Sequence, residues 1–68
     1  MEKKTYYIEV AWMGSRDYEQ VPVCCEEKDL DLIATAVGKG YKADSCVVFL
    51  TGGDNTYSKP YMVLWDCM

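Results

Sequence analysis

Two segments of this chain are apolar on both of the alternating faces that a β-strand presents. They are residues 46–50, Cys-Val-Val-Phe-Leu, and residues 61–65, Tyr-Met-Val-Leu-Trp. Only residues 30–41 have helical periodicity, and a single helix covers one face of a sheet. The sequence therefore predicts a second apolar sheet face that needs a cover from outside the chain, either a partner or a second copy.

The first part of the chain predicts a β-hairpin. Residues 3–12 alternate in polarity, and residues 18–25 form a second strand after a polar loop that contains Gly14. Val21, Val23 and Cys25 would point inward and Gln20 and Cys24 outward. Because Pro22 cannot donate a hydrogen bond to a neighbouring strand, we expect this second strand at an edge of the sheet.

The helical segment follows the second strand directly. Carboxylates at its start complement the positive end of the helix dipole. An apolar stripe runs along one side, formed by Leu30, Ile33, Ala34, Val37 and Tyr41. We expect Gly38 or Gly40 to end the helix in a left-handed conformation.

The last part of the chain predicts a second hairpin, with strands near 45–51 and 56–66 and a turn at 52–55. The 68 residues then form one α+β domain (1–68), a four-stranded, mostly antiparallel sheet with one helix on one face, in the order ββαββ. The order of the central strands stays open. The side chains expected beneath the helix are Tyr6, Ile8, Val10, Trp12, Val21, Val23, Val48 and Val63.

The opposite sheet face is expected to carry exposed apolar and aromatic side chains. They are Tyr7, Ala11, Val47, Phe49, Met62 and Leu64. A contiguous apolar patch usually marks an interface, and aromatic residues and methionine are enriched in interface cores. We expect Tyr7, Phe49, Met62 and Leu64 to contact a foreign partner or a second copy.

The negative charge of the chain is concentrated in residues 17–31. That stretch holds six carboxylates and one lysine, a net charge of −5 in a chain whose total is −4. The carboxylates are Asp17, Glu19, Glu26, Glu27, Asp29 and Asp31. Such a field disfavours direct binding of nucleic acid and favours a basic protein partner. The alternative, a solvated acidic face that only aids solubility, stays open.

Catalytic and metal sites find little support in the sequence. The chain has no histidine, which removes the commonest general base and metal ligand. Its four cysteines lack the short Cys-x(2–4)-Cys spacing of structural zinc sites, so we expect no metal and no cofactor. An even number of cysteines can form two disulfides, but because no export signal is present we expect three or four free thiols. Without an export signal or a membrane-length apolar run, we expect a complete cytoplasmic protein.

In size, acidity and the order strand–strand–helix–strand–strand, the chain resembles phage-encoded inhibitors of host defence, anti-CRISPR proteins in particular. This resemblance covers the whole chain at the level of architecture. It implies a non-enzymatic inhibitor in the host cytoplasm that binds a larger, basic, nucleic-acid-binding protein stoichiometrically. Such binding would block access of nucleic acid or activation of a nuclease.

Other functions remain compatible with the sequence. Two sheets could pack face to face in a homodimeric structural module. A small molecule could also stack on tyrosine and tryptophan side chains of the sheet face. An enzyme is the least supported class, since the sequence holds no acid–base constellation.

Overall fold

The predicted fold class and order of elements are confirmed. The computed structural model describes residues 2–50 and 60–66. It contains strands β1 (Lys3–Ala11) and β2 (Tyr18–Glu26), helix α1 (Glu27–Gly40), and strands β3 (Ser45–Leu50) and β4 (Met62–Trp65). The predicted turn at 52–55 and the first part of the predicted fourth strand lie outside the described residues.

The sheet has the strand order β2-β1-β3-β4, and each pairing is antiparallel. The long apolar strand β1 lies in the centre, beside β3, which settles the strand order that the sequence left open. The prediction that β2 forms an edge is confirmed, in agreement with its Pro22. Gly14 adopts a φ of +81° in the β1–β2 loop, a conformation that glycine reaches at little cost.

The hydrophobic core lies between the sheet and α1. Side chains from β1, β3 and α1 are fully buried there, namely Tyr6, Ile8, Val10, Leu30, Ala34, Cys46 and Val48. The strand register explains the set, because Ile8 lies opposite Val21 on β2 and Val48 on β3. Burial of one side chain such as Leu30 contributes about 1.5–3 kcal/mol to stability. The predicted helix-facing residues of β1, β2 and β3 therefore lie where alternation placed them.

The faces predicted for β4 are wrong. Met62 lies opposite the buried Val48, whereas Val63 lies opposite Val47 on the outer face and is 52% exposed. A bulge then brings Trp65 opposite Cys46, and Met62 and Leu64 both pack against the core. Because side chains alternate with a period of two, a shift of one residue exchanges the faces of a whole strand. An apolar run such as 61–65 does not reveal which register applies.

The end of α1 also differs from the prediction. The helix continues past Gly38 and ends at Gly40, one of the two predicted positions, but Gly40 is not left-handed and Tyr41 follows with a right-handed φ of −85°. The left-handed residue is Lys42, with a φ of 55°. Gly38 serves packing instead, since a Cβ there would lie 2.6 Å from Cη2 of Trp65 and 2.9 Å from Sγ of Cys46. The absence of a side chain lets α1 approach the sheet closely at this point.

Candidate protein-binding surfaces

The six predicted carboxylates do not form one surface. Asp17 and Glu19 lie at one end of β2, whereas Glu26 ends the same strand. Glu26 lies seven positions after Glu19, which corresponds to about 23 Å along an extended strand. The structure thus divides the acidic stretch into two groups at opposite ends of the edge strand.

The larger group surrounds the start of α1, and we call it the acidic helix end. It consists of Glu26, Glu27, Asp29 and Asp31. The last three are exposed, whereas Glu26 is half-buried. Glu26 precedes the helix without a side-chain capping bond, so the first backbone N–H groups of α1 receive no cap from it. The helix dipole favours negative charge at this position.

Few contacts neutralise the acidic helix end. Among residues 2–50 and 60–66, the only ion pair joins Nζ of Lys28 to Oε1 of Glu26 at 3.8 Å. The hydroxyl of Thr35 donates a long hydrogen bond of 3.4 Å to Oδ1 of Asp31. Lys3 lies opposite Glu26 in the β1–β2 pairing and reduces the local charge further. The net negative charge at this end is consequently smaller than the −5 of the sequence stretch.

The side chain of Glu27 interacts with Tyr61, the residue immediately before β4. Its carboxylate accepts a hydrogen bond from the hydroxyl of Tyr61, and this bond, with burial and charge, raises the pKa of Tyr61 to about 12. The backbone N–H of Tyr61 donates to the carbonyl of Val48 at 2.8 Å. The rings of Tyr61 and Tyr6 lie 5.5 Å apart. Burial, followed by the nearby Glu27 charge, raises the pKa of Tyr6. Glu27 therefore links the start of the helix to the sheet.

Asp29 lies on the other side of α1. Its charge, after burial, helps to raise the pKa of the Cys25 thiol on β2. Glu27 and Asp29 consequently flank the helix on the β4 side and the β2 side. The acidic helix end presents carboxylates around the helix axis rather than along a single line.

The four predicted apolar interface residues do not form an exposed patch. Tyr7 and Phe49 lie opposite each other on the outer sheet face, but Tyr7 is half-buried and Phe49 is only 9% exposed. Met62 and Leu64 pack on the helix side and are half-buried. The outer face thus holds less free apolar surface within a single chain than the sequence predicted. This weakens the argument that the outer face requires a partner.

Large exposed apolar side chains do occur elsewhere. In the described part of the chain they are Met13, Tyr18, Leu32, Tyr41, Tyr61 and Val63. The most exposed is Leu32, at 75%, on the solvent side of α1. Sequence analysis missed Leu32, although its position off the apolar stripe of the helix was a visible signal.

The described residues contain free thiols but no cluster of metal ligands. No group of three or more histidine, cysteine or acidic residues in the described ranges could hold a metal ion. Cys24, Cys25 and Cys46 carry free thiols, and burial raises the pKa of Cys25 and Cys46. A higher pKa lowers the thiolate fraction, and with it the reactivity. Cys67 lies outside the described residues.

An open depression of about 220 Å³ lies at the acidic helix end, lined by Glu2, Glu26, Glu27 and Lys28. Sites for small molecules usually measure about 300–1,000 Å³ and are mostly apolar. The depression is smaller than that and lies at the start of α1. It therefore gives no support to the small-molecule hypothesis, which concerned the sheet face.

Comparison with known proteins returned no match to a family model, to a curated protein or to a solved structure. No helix in the described residues combines the length and the apolar character needed to cross a membrane. The surfaces of this chain are therefore the basis on which its function is inferred, and the resemblance to phage-encoded inhibitors stays a prediction.

Proposed function

We propose that this protein is a non-enzymatic inhibitor that docks its acidic helix end on a basic, nucleic-acid-binding surface of a larger protein. The observation that carries the proposal is the set of exposed carboxylates Glu27, Asp29 and Asp31 at the start of α1. By occupying the basic surface, the chain would exclude nucleic acid from it. We place this action in the cytoplasm of a host cell, as the resemblance to anti-CRISPR proteins implies.

The physical basis is charge complementarity with a rigid presentation. Oppositely charged surfaces steer encounter and suppress wrong partners, more than they add raw affinity. The carboxylates lie on a helix packed against the sheet through Leu30 and Ala34, both fully buried. Little conformational entropy is then lost on docking, which favours affinity. Carboxylates on a flexible tail would have to be ordered on docking and would lose more conformational entropy.

The test uses purified, guide-loaded CRISPR effector complexes of several types. We expect the chain to inhibit target-DNA binding of at least one type stoichiometrically. We also expect the variant with Asp29→Lys and Asp31→Lys to lose most of that inhibition. The matched control carries Asp17→Lys and Glu19→Lys at the other end of β2. Both variants raise the net charge by four units, from −4 to zero.

The control separates local docking from overall charge. An inhibitor that depends on the acidic helix end should tolerate the Asp17 and Glu19 reversals. Equal loss in both variants would show that total charge matters and that the acidic helix end has no special role. Full inhibition by both variants would rule out acidic docking. Absence of inhibition in every effector type would remove the anti-CRISPR part of the proposal.

Self-association through the outer sheet face has one structural observation in its favour. Val63 is 52% exposed beside Val47, its partner across β3 and β4. The buried Phe49 contributes little to such an interface. Equilibrium sedimentation with Val63→Asp tests this second candidate, which predicts a dimer that the substitution dissociates.

A further inference from the structure

Glu9 places a carboxylate on the outer face of the central strand. It lies on β1, opposite Gln20 on β2 and Val47 on β3. Side chains two residues apart on a strand share a face, so Glu9 lies between Tyr7 and Ala11. Glutamate is depleted in strands, and here it is half-buried. A charge at such a position costs desolvation free energy unless an opposite charge compensates for it.

Glu9 has a hydrogen-bond donor beside it but no cation. Nε2 of Gln20 donates to Oε1 of Glu9 at 3.1 Å, which fixes the direction of the carboxylate. The only ion pair among residues 2–50 and 60–66 lies elsewhere, at the start of α1. Lys3 shares the outer face with Glu9, but it lies six positions earlier on β1, about 20 Å away. Arg16 belongs to the β1–β2 loop. In the described part of the chain, the carboxylate of Glu9 is therefore oriented but not neutralised.

The described side chains around Glu9 are uncharged and partly aromatic. Tyr18 on β2 is diagonal to Glu9 across the β1–β2 pairing and is 57% exposed. Diagonal neighbours lie about 7–8 Å apart, within reach of a long side chain. On the other side, Val47 leads to the exposed Val63 on β4. An oriented carboxylate beside an exposed aromatic ring suits an arginine, because a guanidinium binds carboxylate through parallel N–H groups and stacks on aromatic faces.

The position of Glu9 also distinguishes a foreign partner from a second copy. In a symmetric pair of identical chains, residues at the centre of the interface face their own copies. Two sheets packed through the centre of their outer faces would bring two Glu9 carboxylates together, and like charges across an interface are unfavourable. A cation from a different protein fits the centre of this face better than the same face of a second copy does.

We propose that the outer sheet face binds an arginine side chain of a protein partner, whose guanidinium pairs with Glu9 and stacks on Tyr18. Gln20 is a positioning residue, since its amide holds the carboxylate in place. Lysine is a compact, strongly hydrated cation and lacks the planar donors for both contacts. This inference concerns a different face from the acidic helix end and does not depend on docking there.

The probes are three short peptides that differ only in their central residue, which is arginine, lysine or citrulline, the uncharged analogue of arginine. NMR spectra of the ¹⁵N-labelled full chain follow binding residue by residue. We expect the arginine peptide to shift the amide signals of Glu9, Gln20 and Val47, and to bind about threefold to fivefold more tightly than either other peptide. Glu9→Gln should remove this preference. The matched control, Glu19→Gln, makes the same change opposite Val10 on the helix side and should leave the preference unchanged.

Several results would overturn the arginine site. Equal binding of the arginine and citrulline peptides would do so, as would an unchanged preference in Glu9→Gln. Equal binding of the lysine peptide would reject the guanidinium. Signal shifts confined to Glu27, Asp29 and Asp31 would place the arginine at the acidic helix end instead. Self-association that Glu9→Gln abolishes would assign the face to a second copy.

The two proposals fail separately. The variant with Asp29→Lys and Asp31→Lys should lose inhibition of the effector complex but keep the preference for arginine at Glu9. Retained inhibition in that variant would reject acidic docking and leave the arginine site standing. Loss of the arginine preference in the same variant would show that the peptide binds at the start of α1, and the site at Glu9 would fail.

Discussion

The close approach of α1 to the sheet at Gly38 predicts the effect of adding one methyl group. In Gly38→Ala, the new Cβ would lie 2.6 Å from Cη2 and 2.7 Å from Cζ2 of Trp65, and 2.9 Å from Sγ of Cys46. Carbon atoms in contact are normally about 3.5–4.0 Å apart. The substitution therefore requires movement of both neighbours or of the helix.

Neither neighbour moves freely. Cys46 is fully buried, and its thiol donates a hydrogen bond to the carbonyl of Ala34 at 3.4 Å. The indole N–H of Trp65 donates to the carbonyl of Ala43 at 3.1 Å. Overpacking of a core typically costs about 1–3 kcal/mol. Because two constrained side chains are involved, we place Gly38→Ala near the upper end of that range.

Helix propensity opposes the clash. Replacement of glycine by alanine inside a helix stabilises it by about 1 kcal/mol. The net effect of Gly38→Ala is then a destabilisation of about 1–2 kcal/mol. For a domain of this size, that corresponds to a decrease in melting temperature of about 4–16 °C. Thermal unfolding followed by circular dichroism would measure it.

Gly40→Ala is the matched control, since it makes the same change two residues later in α1. A Cβ at Gly40 would meet nothing within 4 Å, so only the propensity gain remains. We expect Gly40→Ala to be neutral or stabilising, by up to about 1 kcal/mol. A stabilised Gly38→Ala variant, similar to Gly40→Ala, would refute the packing argument at Trp65.

Three further predictions concern β4, the thiols and pH. Met62→Asp should lower the free energy of unfolding by more than about 2 kcal/mol, whereas Val63→Asp should change it by less than about 1 kcal/mol. Urea denaturation measures both, and the reverse order would contradict the register of β4. Cys24 should react with iodoacetamide in the native protein, and Cys25 only after unfolding, as mass spectrometry would show. Since folding raises the pKa of Tyr61 from 10.0 to about 12, its contribution to stability is complete below pH 10 and is lost as the pH rises towards about 12. Tyr61→Phe should reduce that loss, and an identical pH profile in this variant would count against the Tyr61–Glu27 hydrogen bond.

Much of the fold could be predicted because several segments have a single consistent pattern. In β1, only one alternation is strongly apolar, so Ile8 and Val10 were placed correctly on the helix side. Pro22 alone was enough to identify an edge strand. The pairing of β1 with β3 could not be predicted, because nothing local to either strand encodes which long-range neighbour it meets.

The errors arose where two interpretations fitted the same residues. Both alternations of 61–65 are apolar, so the faces of Met62 and Val63 were exchanged, and a bulge leaves no mark in the sequence. Gly38 fitted a helix end as well as a close contact, and only the position of Trp65 distinguishes the two.

The candidate site was predicted in residue type more than in geometry. The acidic residues are close in sequence, but an extended strand separates Glu19 from Glu26. Leu32 was not predicted, because the apolar stripe identifies the buried side of α1 and says nothing about an apolar side chain on its solvent side. Alternation alone also does not predict that Phe49, on the outer sheet face, is buried.

The rate of association with an inhibited effector complex, measured over a range of salt concentrations, tests the docking of the acidic helix end most directly. Exposed charges are screened beyond about 10 Å at 0.1 M ionic strength, so charge-steered association slows as salt increases. We predict a steep decrease for the unmodified chain and for the variant with Asp17→Lys and Glu19→Lys, and a nearly flat dependence for Asp29→Lys with Asp31→Lys. A rate that does not depend on salt, or one flattened equally by both pairs of substitutions, would contradict docking through the start of α1.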